Sequence, residues 1–116
     1  MRIALTLGAV VVALAVGAFL MFGRGREIQG GEARKLVAAG ARLVDVRSPE
    51  EYARGHLPGA VNIPVQELDR RMAEVGPRDG EVILYCRSGS RSARATEMLR
   101  RQGFGKVHNL GPMTAW

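Results

Sequence analysis

The sequence predicts an α/β domain, a small parallel sheet covered by helices on both faces, and three observations carry that reading. Short runs of apolar, β-favouring residues alternate with amphipathic segments from residue 27 to residue 116. The strongest runs are apolar at consecutive positions, as strands buried on both faces must be. The joints between segments carry helix stops and starts, chiefly glycine and a Ser-Pro pair.

Each element has its own cause. In "GGEARKLVAAG" (30–40), Ala33, Leu36 and Val37 recur at helical spacing and Gly40 supplies the stop. "RLVDV" is a compact apolar run interrupted by one acid, a buried strand ending at Asp45 to Arg47. "SPEEYARG" offers Ser48 as N-cap, Pro49 at the first helical position and acids in the first turn, and it stops at Gly55 after one or two turns. "HLPGAVNIP" carries a Pro-Gly turn and a brief strand. "VQELDRRMAEV" aligns Leu68, Met72 and Val75 on one face and predicts a single helix over 65–75. After the loop "PRDG", "EVILYC" is a strand of four consecutive apolar residues running into Cys86. Residues 91–102 predict a helix with Ala95, Met98 and Leu99 inward and Gly103 at its end. "KVHNL" is a last short strand, and "GPMTAW" begins a terminal turn.

Ahead of this domain, residues 3–22 contain no charge and are flanked by Arg2, Arg24 and Arg26. A bilayer needs about 20 apolar residues, whereas a signal peptide's apolar core usually runs to about 7–15. Val16-Gly17-Ala18 offers a small-residue cleavage site, but the large apolar residues Phe19 to Phe22 follow it. The expectation is therefore a hydrophobic helix that anchors the chain in a membrane through residues 3–22. Residues 1–26 form the anchor or signal segment with its basic linker, and residues 27–116 form the domain. The domain is expected to face the periplasm or cell exterior, and to be secreted or periplasmic if the segment is cleaved.

The chain carries 17 Lys and Arg against 11 Asp and Glu, a net charge of +6. Three of those arginines flank the apolar segment, leaving 14 against 11, or +3, for residues 27–116. That balance does not argue for nucleic acid, and the flanking arginines suit a membrane surface. One cysteine excludes an internal disulfide, a CxxC redox pair and any multi-cysteine zinc site. With only His56 and His108 beside it, no metal is expected.

In open α/β sheets, ligands sit at the carboxyl ends of strands, where Asp45 and Cys86 both fall. Cys86, Arg87, Ser88, Gly89 and Ser90 form a tight loop that delivers the thiol to a helix amino terminus, where unpaired N–H groups converge. Such a nest favours an anion and lowers a thiol pKa, and Arg87 and Arg91 add positive charge. Gly89 gives the loop backbone freedom, while Ser88 and Ser90 supply hydroxyls. The competing reading makes Cys86 one more small buried residue at a strand end, and the C-x4-R pattern alone leaves the two evenly matched.

Residues 43–64, "LVDVRSPEEYARGHLPGAVNIP", and 85–116, "YCRSGSRSARATEMLRRQGFGKVHNLGPMTAW", resemble the single-domain rhodanese family of sulfurtransferases. The resemblance runs from about Glu32 onward and implies the rhodanese-like three-layer fold. It further implies a nucleophilic Cys86 that takes a sulfane sulfur from a small anionic donor such as thiosulfate and becomes a persulfide. The sulfur then passes to a thiophilic acceptor: a thiol, a cyanide-like nucleophile or a protein. The loop from Arg87 to Arg91 would hold the anion, Asp45 and Arg47 would support the loop, and no cofactor is needed. Related phosphatase domains carry one more residue between cysteine and arginine, so phosphatase or arsenate reductase activity is disfavoured. A membrane-tethered binding or sulfur-delivery module with little turnover is the main rival. The chain departs from the family at Gly111-Pro112, where a Gly-Gly pair is common, and relatives commonly continue beyond the position of Trp116.

Overall fold

The computed structural model describes residues 26–116. The apolar segment 3–22, expected to be an anchor, lies outside the described residues. Among the described residues no helix is long and apolar enough to cross a membrane.

Five parallel strands form one sheet in the order β1-β5-β4-β2-β3, where β1 is Arg26–Glu27, β2 Arg42–Asp45, β3 Val61–Asn62, β4 Val82–Cys86 and β5 Val107–Pro112. The helices are α1 (Gly30–Ala38), α2 (Pro49–Arg54), α3 (Met72–Val75) and α4 (Ser90–Arg101), with 3-10 turns at Val65–Arg70 and Met113–Ala115. Every side chain of β4 is buried, which explains its unbroken apolar sequence.

Alternation along the strands sorts the core into two layers. Val44, Val46, Val82, Leu84 and Cys86 face Ala95 and Leu99 of α4, together with Leu68 and Val75. Leu43, Ile83 and Tyr85 face the opposite way, onto Ala33 of α1, Leu57 and Ala60. Both faces are therefore covered, and the sheet has the three-layer form that the sequence predicts.

Two departures have local causes. The helix expected over 65–75 is divided, because Arg71 leaves helical geometry (φ −121°, ψ 28°) between the 3-10 turn and α3. Leu68 and Val75 are still buried and Met72 still packs on the core, so the apolar face survives the break. Strand β5 runs beyond "KVHNL" to Pro112 by way of a bulge: Leu84 pairs with Asn109 but Tyr85 with Gly111. Gly111 takes the positive φ (85°) that this requires, and its N–H donates to Asn109 Oδ1 at 2.9 Å. The closing 3-10 turn then packs against the start of α1, where a Cβ at Gly30 would meet the Ala115 carbonyl oxygen at 2.0 Å.

Candidate active site at the Cys86 loop

The carboxyl ends of β2 and β4 are neighbours, with Asp45 opposite Tyr85 in the register. That places the Asp45–Arg47 corner beside the loop that begins at Cys86. Asp45 is fully buried and Arg47 nearly so. The Arg47 guanidinium donates from Nε to both Asp45 oxygens (3.0 and 3.1 Å) and from Nη2 to Oδ2 (2.7 Å). Its Nη2 also reaches the Gly55 carbonyl oxygen at 2.7 Å, and its backbone N–H donates to Asp45 Oδ1 at 2.9 Å. Hydrogen bonding to Asp45 raises the Arg47 pKa despite burial. Asn62 completes the corner by donating to the carbonyl oxygens of Asp45 (3.0 Å) and Arg47 (2.9 Å). A buried ion pair with each partner hydrogen-bonded meets the condition under which such a pair is tolerable.

Tyr85 links this corner to the next turn, since its buried hydroxyl accepts the Leu57 N–H at 3.0 Å and its ring lies 5.7 Å from the Arg47 guanidinium carbon. Burial, foremost, keeps the phenol well above its ordinary pKa. Its hydroxyl is thus a fixed hydrogen-bonding post.

The loop itself turns at Gly89, whose φ of +101° suits only a residue without a side chain. That turn aims the Gly89 N–H at Cys86 Sγ, 2.9 Å away, and starts α4 at Ser90. Ser92 Oγ lies 3.5 Å from Sγ and 3.1 Å from the Gly89 carbonyl oxygen. One hydroxyl proton serves either acceptor, and a thiolate draws it to sulfur. Burial pushes the Cys86 thiol up, but the Ser92 hydroxyl and the N–H groups of Ser92, Gly89 and Arg91 together outweigh it. The thiol therefore sits below its ordinary pKa. Cys86 itself is fully buried beneath the loop.

Beside the loop lies a cavity of about 440 Å³ lined by Arg47, Glu51, Arg54 and Gly55 on one side, Arg87 on the loop, and Met113 and Thr114 of the closing turn. Arg87 and Ser88 are exposed. Arg91 crosses to α2, where its Nη1 and Nη2 donate to Glu51 Oε1 (2.7 Å) and Oε2 (3.1 Å). Glu51 is also the far half of a capping box: it accepts from the Ser48 N–H and hydroxyl, while Ser48 Oγ accepts the Glu51 N–H. The Arg91 hydrogen bond holds the Glu51 carboxyl down at about 2 despite its burial.

The residues singled out from sequence thus gather at one end of the sheet: Cys86, Arg87, Ser88, Gly89, Ser90 and Arg91 form the loop, and Asp45 and Arg47 brace the neighbouring strand end. Arg91 contributes its backbone N–H towards the sulfur, while its side-chain charge is balanced by Glu51. His56 stacks on Tyr52 with ring centroids 3.7 Å apart, and His108 Nε2 lies 2.6 Å from Glu81 Oε2. Ser92, Glu51 and Arg54 were not singled out. Ser92 has a legible signal, since the first turn of a helix behind a nucleophile loop returns a side chain to that loop. Glu51 and Arg91 are 40 residues apart, and no local pattern joins them.

A family model for "Rhodanese-like domain" matches residues 30–116. A "Sulfurtransferase" of Allochromatium vinosum is 47% identical over 75 residues, which cover 64% of this chain and 69% of that protein. Among solved structures, the human single-domain sulfurtransferase TSTD1 matches with a TM-score of 0.68 and 34% identity, over 79% of this chain and 92% of that one. Reduced Bacillus anthracis CoADR-RHD matches with a TM-score of 0.70 and 34% identity, over 83% of this chain. This chain spans only 17% of that longer protein.

Proposed function

Because the chain belongs to the family of rhodanese-like domains, we propose that it is a sulfurtransferase working through a persulfide on Cys86. The single observation that carries the proposal is the cradle around Sγ: three N–H groups and one hydroxyl lower the thiol pKa at the head of α4. Lowering the thiol pKa raises the share of thiolate, the nucleophilic form, without a general base.

With thiosulfate as donor, the Cys86 thiolate attacks the sulfane sulfur. The new S–S bond forms as the donor's S–S bond breaks, and sulfite leaves with the bonding pair. The persulfide anion then occupies the same N–H cradle. The acceptor next takes the outer sulfur, and the Cys86 thiolate returns. Asp45 and Arg47 act behind the loop by fixing the ends of β2 and β4. Because Cys86 has no exposed surface, the loop must open before a donor reaches sulfur.

The same proposal sets this chemistry on a membrane: residues 3–22 would tether the domain, with the site facing the periplasm or cell exterior. Proteolytic shaving of intact cells carrying the full chain tests that placement, since an exterior domain is cut and an interior one is protected. The activity is tested by incubating the full chain with thiosulfate and cyanide and measuring thiocyanate. Turnover that vanishes in Cys86→Ser supports sulfur transfer. Turnover that persists in Cys86→Ser, or phosphatase activity in place of transfer, removes the proposal.

A further inference from the structure

Arg91 is well placed to grip an anion held over the Cys86 sulfur, yet the structure commits it to a carboxylate. It stands in the first turn of α4, the turn that closes the Cys86 loop. Its pKa is raised, foremost by hydrogen bonding to Glu51, and the Cys86 thiolate adds to the rise, so the guanidinium lies within electrostatic reach of the sulfur. A guanidinium beside converging N–H groups is a ready means of holding an oxyanion, through two parallel hydrogen bonds. Here that fork is filled: Nη1 donates to Glu51 Oε1 at 2.7 Å and Nη2 to Oε2 at 3.1 Å.

Glu51 is itself held in place. It belongs to α2, whose start is set by Pro49, and the Ser48 N–H (3.3 Å) and hydroxyl (3.2 Å) both donate to the same Oε1 that Arg91 reaches. The Arg91 hydrogen bond keeps the Glu51 carboxyl at about 2, so it is charged at every physiological pH. An incoming oxyanion that drew Arg91 to itself would exchange one anionic partner for another and leave the Glu51 carboxylate unpaired at the cavity wall. Such an exchange adds no charge-assisted contact to the total.

The other guanidinium groups do not fill the gap. Arg47 is committed to Asp45. Arg54 and Arg87 line the cavity but are exposed, and ion pairs formed in open water are weak. The N–H groups of the loop are thus left as the main ligands for an anion at Cys86.

On the reading that Cys86 carries sulfur, we propose that Glu51 is a specificity-determining residue: by holding Arg91 it denies the loop a side-chain grip on oxyanions, so the site selects a donor by its sulfur rather than by its oxygens. Sulfate and phosphate, which offer oxygens and no sulfane sulfur, are then poor competitors for the loop.

The test measures, in the full chain, how sulfate protects Cys86 from iodoacetamide, beside thiosulfate-to-cyanide turnover. Glu51→Gln keeps an acceptor for the Ser48 cap but gives up the charge. It is expected to tighten sulfate binding by about tenfold, the worth of one charge-assisted contact, and to lower the KM for thiosulfate, whose oxygens meet the same guanidinium. Glu51→Asp, a carboxylate too short to keep both contacts, should shift sulfate binding the same way by a smaller factor. Adding Arg91→Gln to Glu51→Gln should return it to the wild-type value. Sulfate binding unchanged in both Glu51 variants overturns the role given to Glu51, and so does a gain that survives the loss of Arg91. Sulfate protection needs no turnover, so a folded chain that responds as expected to Glu51→Gln but forms no thiocyanate overturns the sulfurtransferase reading alone.

Discussion

Replacing Glu51 by Gln removes one charge and little else, because the side-chain oxygen of Gln can still accept from Ser48 in the capping box. The Arg91 hydrogen bond, against the opposing effect of burial, holds the Glu51 carboxyl at about 2, compared with 4.5 when unperturbed. The folded value lies below the unfolded one. The charge therefore contributes its full stability above about pH 4.5, and loses it as the pH falls through that window towards 2. At about 1.4 kcal/mol per unit, the ceiling is about 3 kcal/mol. The Glu51 side chain is 24% exposed and Arg91 35%, and solvent screening brings the expected contribution to about 1–2 kcal/mol. Urea unfolding of the full chain in mild detergent, followed by the fluorescence of Trp116 from pH 2 to 7, reads it directly. The wild type should exceed Glu51→Gln by about 1–2 kcal/mol above pH 5, and the gap should close near pH 2. A gap that does not change with pH, or no gap at any pH, would refute the argument that the ion pair stabilises the junction between α2 and the loop.

Other perturbations probe the remaining supports. Arg47→Met strands a fully buried Asp45 carboxylate and is expected to cost about 3–5 kcal/mol of stability in the same unfolding assay. A loss under about 1 kcal/mol would mean the corner is not braced by this pair. Ser92→Ala withdraws the hydroxyl that reaches the thiolate, so the Cys86 pKa should rise and iodoacetamide alkylation at neutral pH should slow. An alkylation midpoint that stays in place on the pH axis would show that the N–H groups suffice alone. Gly89→Ala places a side chain at φ +101°, where its cost is about 1–2 kcal/mol of backbone strain. Its Cβ contacts of 3.5–3.6 Å with Gly111 and Pro112 are ordinary, so the strain falls on the turn, and a disturbed Gly89 N–H contact to sulfur should slow alkylation at neutral pH.

What could be read from the sequence was what local physics governs. The run "VILY" specifies a strand buried on both faces because no polar residue interrupts it, and β4 spans Val82–Cys86 accordingly. Ser48-Pro49 with Glu51 specifies its own helix start, which the capping box realises. Gly89 and the small residues around it specify a turn into α4, so the place of Cys86 at that helix's head followed. Arg71 was less legible, because an apolar face at helical spacing is satisfied equally by a 3-10 turn plus a short α-helix. The extension of β5 was hidden because Pro112 and Gly111 look like strand breakers until the bulge gives them a role. The pairing of Glu51 with Arg91, 40 residues apart, required the fold itself.

The most direct test of the central claim is the intact mass of the full chain after brief exposure to thiosulfate and removal of excess donor. The account predicts a gain of one sulfur atom, located on Cys86, absent from Cys86→Ser and discharged by cyanide as thiocyanate. A folded chain that gains no sulfur, or one that gains it equally in Cys86→Ser, would contradict the claim that Cys86 carries sulfur.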